Sequence, residues 1–304
     1  MRGTLRSRPI TIVVGFAAGA ATDTIGRIMA EQMKISLGQP VMVENVTGAA
    51  GTIALGRVAR AAPDGYTLSL GNNTSNVVAG ATYALQYDLL NDFEPVALLS
   101  TSPYVLNARK TMPGNDLKSL IAWLKANPDK ATLAANTVSP GHIAGVFFKR
   151  ETGTRFQFVA YRGGAAPAIQ DLVAGHIDLV ICDPVAALPQ VRAGTIKAYG
   201  VTTKTRLFSA PDIPTLVEAG LPGFDLSLWQ GLWLPKGTPK NIIAKVNAAV
   251  MDALADPTLR ARLADLGQEI FPPGQQTPEA LGAFQRAEIE KWWPIIKAAG
   301  IKPE

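Results

Sequence analysis

Three times in this chain a strand-like run gives way to a loop of small residues and then to the first turn of a helix. The runs are Ile12-Val13-Val14 before residues 15–23, Leu133-Ala134-Ala135 before 136–142, and Phe158-Val159-Ala160 before 161–166. A loop of glycine and alanine lets a ligand reach the backbone, and the helix behind it presents free N–H groups and the positive end of its dipole. Such a loop can hold an anion without a cation, and the repeated strand-to-helix unit points to an α/β architecture.

The same rhythm runs through most of the sequence. Strand-like segments lie near residues 10–15, 40–45, 66–71, 95–99, 131–135, 156–160, 178–182 and 197–202, with helical periods filling most gaps, as in an α/β protein with mainly parallel sheets. Ile25, Ile28, Met29 and Met33 form a stripe that packs a helix on a sheet, and Ala165, Ala166, Ile169, Leu172 and Val173 repeat it. Thr22 or Asp23, and Ser139, suit N-cap positions, and Pro140 suits a first helical turn.

The rhythm breaks at residues 102–107 and 225–231, extended sequence beside Pro or Gly. Read as crossings, these divide the 304 residues into a discontinuous lobe of 1–105 and 225–304 and a second lobe of 106–224, with anion-type loops on both facing a cleft. From Thr238 onward the chain reads as three helices without a strand. The last aligns Leu281, Phe284, Trp292, Ile295 and Ile296 on a face interrupted only by Glu288.

Composition narrows the functional classes. A hydrophobic fraction of 47% with a charged fraction of 17%, against roughly 25% in ordinary globular domains, describes a chain with ample core. The net charge is +5, yet no five-residue window is dominated by Lys and Arg and no segment interleaves aromatic with basic residues. Nucleic acid is therefore not an expected partner. Cys182, the one cysteine, lies in an apolar run and reads as a buried thiol. No apolar run reaches the roughly 18 residues that span a bilayer, so no direct membrane insertion is expected. The basic residues 1–8 precede an apolar run too short for a leader, so the chain is either cytoplasmic or carries a new start where a leader was removed.

The first strand–loop–helix–strand unit, ending in Glu44, has the outline of a dinucleotide-binding fold, but Gly15-Phe16-Ala17-Ala18-Gly19 is not G-x-G-x-x-G. Phe16 and Ala17 put side chains where a pyrophosphate needs bare backbone. An oxidoreductase using NAD through this unit stands as the alternative from another class. Thr47-Gly48-Ala49-Ala50-Gly51-Thr52 lacks the Lys-Ser/Thr of a P-loop and reads as a tight turn. There is no G-x-S-x-G elbow, and the two histidines, His142 and His176, form no metal-ligand pattern, so neither a catalytic residue, a metal nor a cofactor is expected. His176 suits a solvated turn; His142 suits a binding role and a cap contact equally. At the ends of the parallel strands stand Asn72, Asn73, Thr74, Asn136, Thr137 and Asp183, where open α/β sheets bind ligands. Asp183 fits an amine or hydroxyl ligand, or a helix cap.

Several segments, in order, resemble the substrate-binding proteins of tripartite tricarboxylate transporters, the TctC or Bug family. They are residues 9–16 with the following loop and Thr22-Asp23, 37–45, 61–68, Val159-Ala160-Tyr161-Arg162-Gly163-Gly164-Ala165-Ala166-Pro167-Ala168, 211–223, and Trp229 with Gly231. The resemblance covers Arg8 to Lys302. It implies a two-lobed class II periplasmic-binding fold that closes on a small mono- or dicarboxylate, aliphatic or aromatic, and delivers it to membrane permease subunits. The implied location is the periplasm and the implied state a monomer without catalytic activity. A sensor that hands the carboxylate signal to a receptor such as a sensor kinase is the second alternative.

By position, the family's ligand grip carries over to Phe16, Ala17, Ala18, Gly19, Ala20, Ala21, Thr22 and Asp23, and to Tyr161, Gly163, Gly164 and Ala165. Thr137 and His142 lie in the loop between, and Asn72, Asn73, Thr74 and Asp183 lie on the rim. Trp229 is expected as an apolar wall for the ligand's carbon skeleton, with core packing close behind. The chain departs from the family pattern at Ala18-Gly19-Ala20-Ala21, where Pro-Gly-Gly is usual, at Gly71 to Asn76, where Gly-Thr-His is common, and at Arg162, where lysine is frequent.

Overall fold

The computed structural model describes residues 8–135, 139–161 and 165–301. In chain order its elements are β1 (Ile10–Val14), α1 (Ala21–Leu37), β2 (Val41–Asn45), α2 (Thr52–Ala59), β3 (Thr67–Asn72), α3 (Ala79–Thr82), β4 (Phe93–Pro103), β5 (Val105–Arg109), α4 (Leu117–Ala126), β6 (Thr132–Ala135) and α5 (Pro140–Thr152). Then follow β7 (Gln157–Ala160), α6 (Ala165–Ala174), β8 (Leu179–Cys182), α7 (Pro184–Arg192), β9 (Ile196–Val201), β10 (Ser227–Pro235), α8 (Lys240–Ala255), α9 (Pro257–Asp265), β11 (Glu269–Ile270) and α10 (Pro278–Ala298). The chain forms two compact units. One holds the chain up to Thr101, Trp229–Ala264 and the chain from Gln268 on; the other holds Ser102–Leu228 with Asp265–Gly267.

The first unit is built on a sheet of order β11-β4-β10-β3-β1-β2. Ile12 of β1 pairs in parallel with Val43 of β2 and Leu68 of β3, while β10 runs antiparallel to β3. Apolar runs with no polar alternation make strands buried on both faces, and Ile10, Ile12, Val13 and Val14 are fully buried. The α1 stripe packs as its spacing requires, with Ile25, Ile28, Met29 and Met33 all buried. Each such side chain contributes roughly 1.5–3 kcal/mol. Gly26 allows the approach, since a Cβ there would stand 2.9 Å from Leu70 Cδ2.

The second unit carries a sheet of order β7-β6-β8-β5-β9, with β6 parallel to β7 and β8, and β5 antiparallel to β8 and β9. Both sheets are therefore mixed. Their parallel halves follow the strand–helix rhythm, and their antiparallel members include β5 and β10, which occupy the two interruptions of that rhythm. The α6 face is shifted from its sequence stripe: Ala168, Ile169 and Leu172 are buried, while Ala166 and Val173 are exposed.

The C-terminal chain departs from expectation in one respect. Between α9 and α10 it makes the two-residue β11, Glu269 opposite Thr101 and Ile270 opposite Ser100. Two residues carry no periodicity, so no sequence pattern announces them. In α10, Glu288 is no flaw in the apolar face: its Oε2 accepts the indole N–H of Trp229 at 3.1 Å and of Trp292 at 3.2 Å.

Candidate functional site

In the first unit the loop between β1 and α1 is fastened by side chains. The Asp23 carboxylate, 1% exposed, accepts Gly19 N–H at 2.8 Å and Arg27 Nε at 3.0 Å on one oxygen, and Asn45 Nδ2 at 2.8 Å on the other. Burial would raise its pKa, but these hydrogen bonds and the Arg27 charge outweigh burial and hold it below the ordinary 3.8. Asn45, at the end of β2, also donates to Phe16 C=O at 2.9 Å and accepts from Arg27 Nη2 at 3.0 Å.

The helix enters earlier than its polar residues suggest. The N-cap is Ala20, not Thr22 or Asp23, and no side chain caps it. The first ladder bond runs from Thr24 N–H to Ala20 C=O, so the N–H groups of Ala21, Thr22 and Asp23 lie outside the helix's own ladder. Arg27, further along α1, is committed to Asp23 and Asn45.

Two further loops meet this one at the ends of β2 and β3. Gly48, Ala49, Ala50 and Gly51 have φ of 127°, 46°, 56° and 89°, four successive residues with positive φ, closed by Gly51 N–H to Gly48 C=O at 2.9 Å. A Cβ on Gly15 would stand 2.6 Å from Gly51 Cα, so Gly15 and Gly51 together let the two loops touch. After β3 the polar run from Asn72 to Asn76 is buried, and Thr74–Val78 forms a π-helical turn, a form that recurs at functional sites. Asn72 binds this turn and also donates to Thr22 Oγ1 at 3.0 Å. The sequence marks residues 47–52 as a tight turn, as the structure bears out, but assigns no site role to Asn45, to this turn or to Ser75, whose local signal is adjacency to glycine or to a strand end.

In the second unit, Ser139 caps α5 by accepting His142 N–H at 3.2 Å. The His142 ring packs edge-on against Phe158 with centroids 4.5 Å apart, and its buried Nδ1 has no hydrogen-bond partner among the described residues. Burial, and secondarily the Lys149 charge, lower its pKa below 6.5, so the ring is neutral at pH 7. Tyr161 donates its hydroxyl to Asp171, which also faces His176 Nδ1 at 3.2 Å; burial and then this carboxylate push the phenol up to about 12. Asp183 caps α7, accepting Ala186 N–H at 3.0 Å. Thr137, Gly163 and Gly164, with Asn136 and Arg162, lie outside the described residues; Ala165 is the first described residue of α6.

Packing, not a ligand wall, describes Trp229. It is fully buried in the first unit, edge-on to Phe284 at 5.2 Å, with its N–H on Glu288. Glu44, the acid that would hold a ribose, forms a two-pronged ion pair with Arg57 of α2, and Phe16 stands in the loop. Among the described residues no group of three or more His, Cys, Asp or Glu could hold a metal ion, and no helix is long and apolar enough to cross a membrane.

Residues 25–301 match the model of the tripartite tricarboxylate transporter family receptor. The chain belongs to this receptor family. Among solved structures it is similar to the periplasmic binding protein BugD, at 37% identity and a TM-score of 0.84 over 98% of this chain and 99% of that one. It is similar to MatC (Rpa3494) from Rhodopseudomonas palustris with bound malate, at 39% identity and 0.83 over 96% and 99%. The third is R. palustris Rpa4515 with adipate, at 31% and 0.86 over 99% and 100%. The two units are thus the lobes of the periplasmic-binding-protein fold, and the family is one of solute-binding proteins, not of enzymes.

Proposed function

We propose that this receptor captures a small mono- or dicarboxylate in the periplasm and delivers it to the permease subunits of a tripartite tricarboxylate-type transporter. The observation that carries the reading is the uncapped start of α1, with three N–H groups outside the helix ladder, the Thr22 hydroxyl among them and Arg27 already paired with Asp23. Backbone donors in a closed, water-poor site bind an anion more strongly than they do in water, and they recognise the carboxylate rather than the skeleton behind it. The ligands named for two relatives, malate and adipate, share that group and differ in length.

In this reading Asp23, Asn45 and Arg27 keep the loop in shape and do not touch the ligand. Phe16 to Thr22 form the first lobe's share of the grip; the loop through Gly163 and Gly164, with Tyr161, Ala165, Thr137 and the neutral His142, forms the second lobe's. A thermal-shift screen against C3–C8 mono- and dicarboxylates, aromatic carboxylates, acidic amino acids and NAD tests it. A saturable rise with a carboxylate is the expected result. A rise with NAD alone, or silence toward every carboxylate, rejects it.

A further inference from the structure

Asn72 ends β3 with its carboxamide held on both sides. Its Oδ1 accepts the N–H groups of Thr74 at 2.9 Å and Ser75 at 3.2 Å, while its Nδ2 donates to Thr22 Oγ1 at 3.0 Å. Backbone N–H groups only donate, so the amide atom facing them is the oxygen, and the atom facing Thr22 is the nitrogen. An amide nitrogen only donates in turn, so Thr22 accepts. Its hydroxyl keeps one proton, and among the described residues nothing accepts it. Thr22 is 3% exposed and is the second residue of α1, within the run of N–H groups that the helix ladder leaves over.

We infer that Asn72 is a positioning residue for the anion: by filling the acceptor side of Thr22 it turns that hydroxyl's proton toward the oxygen the N–H groups of α1 receive. This rests on the carboxylate reading above and adds a rule of selection to it. A fixed donor beside fixed N–H donors admits a carboxylate oxygen and turns away a carboxamide N–H or an ammonium group at the same place, because two donors face each other there.

Asn72→Asp is the discriminating variant. One oxygen still accepts from Thr74 and Ser75, so the turn keeps its bonds, but the other can no longer donate and Thr22 must give its proton to it. With malate and adipate as calorimetric probes, affinity is expected to fall about tenfold or more, the usual size of a hydrogen bond to a charged group, with the melting temperature close to the parent's. In a Thr22→Ser background the same fall is expected. In a Thr22→Val background, which has no proton to redirect, Asn72→Asp is expected to cost measurably less than in the parent, the remaining loss being the repulsion of the added charge.

Asn72→Ala, which frees Thr22 without adding charge, runs through the same cycle as a second variant and is expected to show the same coupling. Equal fold-losses in the parent and Thr22→Val backgrounds overturn the inference, as does an Asn72→Asp protein that binds like the parent. A parent silent toward the whole carboxylate panel overturns the carboxylate reading itself, a different result from a parent that binds and is indifferent to Asn72.

Discussion

At the start of α7 the Asp183 carboxylate accepts the Ala186 N–H at 3.0 Å, and at the start of α5 the Ser139 hydroxyl accepts that of His142 at 3.2 Å; at the start of α1 the corresponding residue is Ala20 and no side chain caps the helix. All three helices follow strands in parallel pairings, so they occupy equivalent places in their sheets. A side-chain cap contributes about 1 kcal/mol, and Ser, Thr, Asp and Asn are the common choices. The second unit takes that stabilisation at α5 and α7. The first unit forgoes it at α1 and fastens the surrounding loop instead, through Asp23, Asn45 and Thr22. Donors without an internal acceptor, on a loop held in place by other bonds, are a site prepared for an acceptor from outside.

The largest test of this contrast is to give α1 the cap it lacks. Ala20→Asp places a carboxylate on the N–H groups proposed to receive the ligand. Ligand affinity is expected to drop on the order of a hundredfold while thermal stability rises, because the same donors serve the cap. Calorimetry on the variant beside its melting curve reads both effects. Undiminished binding would place the anion elsewhere.

Next in size is the strut beneath the loop. Asp23→Asn removes a carboxylate that accepts three hydrogen bonds and is expected to cost about 1–3 kcal/mol at pH 7. The folded-state pKa of Asp23 lies below its unfolded value near 3.8. Its contribution is therefore complete above about pH 4 and is lost as pH falls through the lower folded value. Urea denaturation at pH 7, 4 and 2.5 should show the gap between parent and variant closing at the acid end. A gap independent of pH would mean the ionised form is not what holds the loop.

Asp183→Ala should cost about 1 kcal/mol and Asp183→Asn only a few tenths, since Asn caps nearly as well. A difference several times larger in urea melts would show that Asp183 does more than cap α7, and the contrast between the units would then narrow.

Much of this arrangement could be read from residues, and the rest could not for identifiable reasons. The strands at 10–15, 40–45 and 178–182 and the α1 stripe follow from β-branched runs and a 3.6-residue period, signals that local sequence carries. β5 and β10 were legible only as interruptions, because their pairing is with strands far along the chain. Ser139 and Pro140 announced the start of α5, but Thr22 and Asp23 misplaced the start of α1: their polar groups serve Asn72 and Gly19, and the helix has already begun at Ala21 with Ala20 as its N-cap. The buried run from Asn72 to Asn76 looks like a solvated loop to any composition rule. Only the structure shows the Asn72 amide oxygen accepting from the Thr74 and Ser75 N–H groups and the Asn76 amide oxygen accepting from the Ser75 hydroxyl.

The smallest effect lies in the turn that packs on the α1 loop. Gly48 and Gly51 adopt positive φ at little expense, but Ala49 and Ala50 hold φ of 46° and 56°, where a Cβ meets its own backbone and costs about 1–2 kcal/mol per residue. Ala50→Gly relieves that strain and loosens the unfolded chain, two opposing terms. The balance is expected to be a gain of about 0.5–1 kcal/mol in urea. The informative comparison is with ligand affinity measured on the same protein. If affinity falls while stability rises, the methyl groups that keep this turn stiff serve the α1 loop it touches at Gly15 and Gly51. If affinity is unchanged, the turn merely connects β2 to α2, and the preparation of the first unit's site rests on Asp23, Asn45 and Asn72 alone.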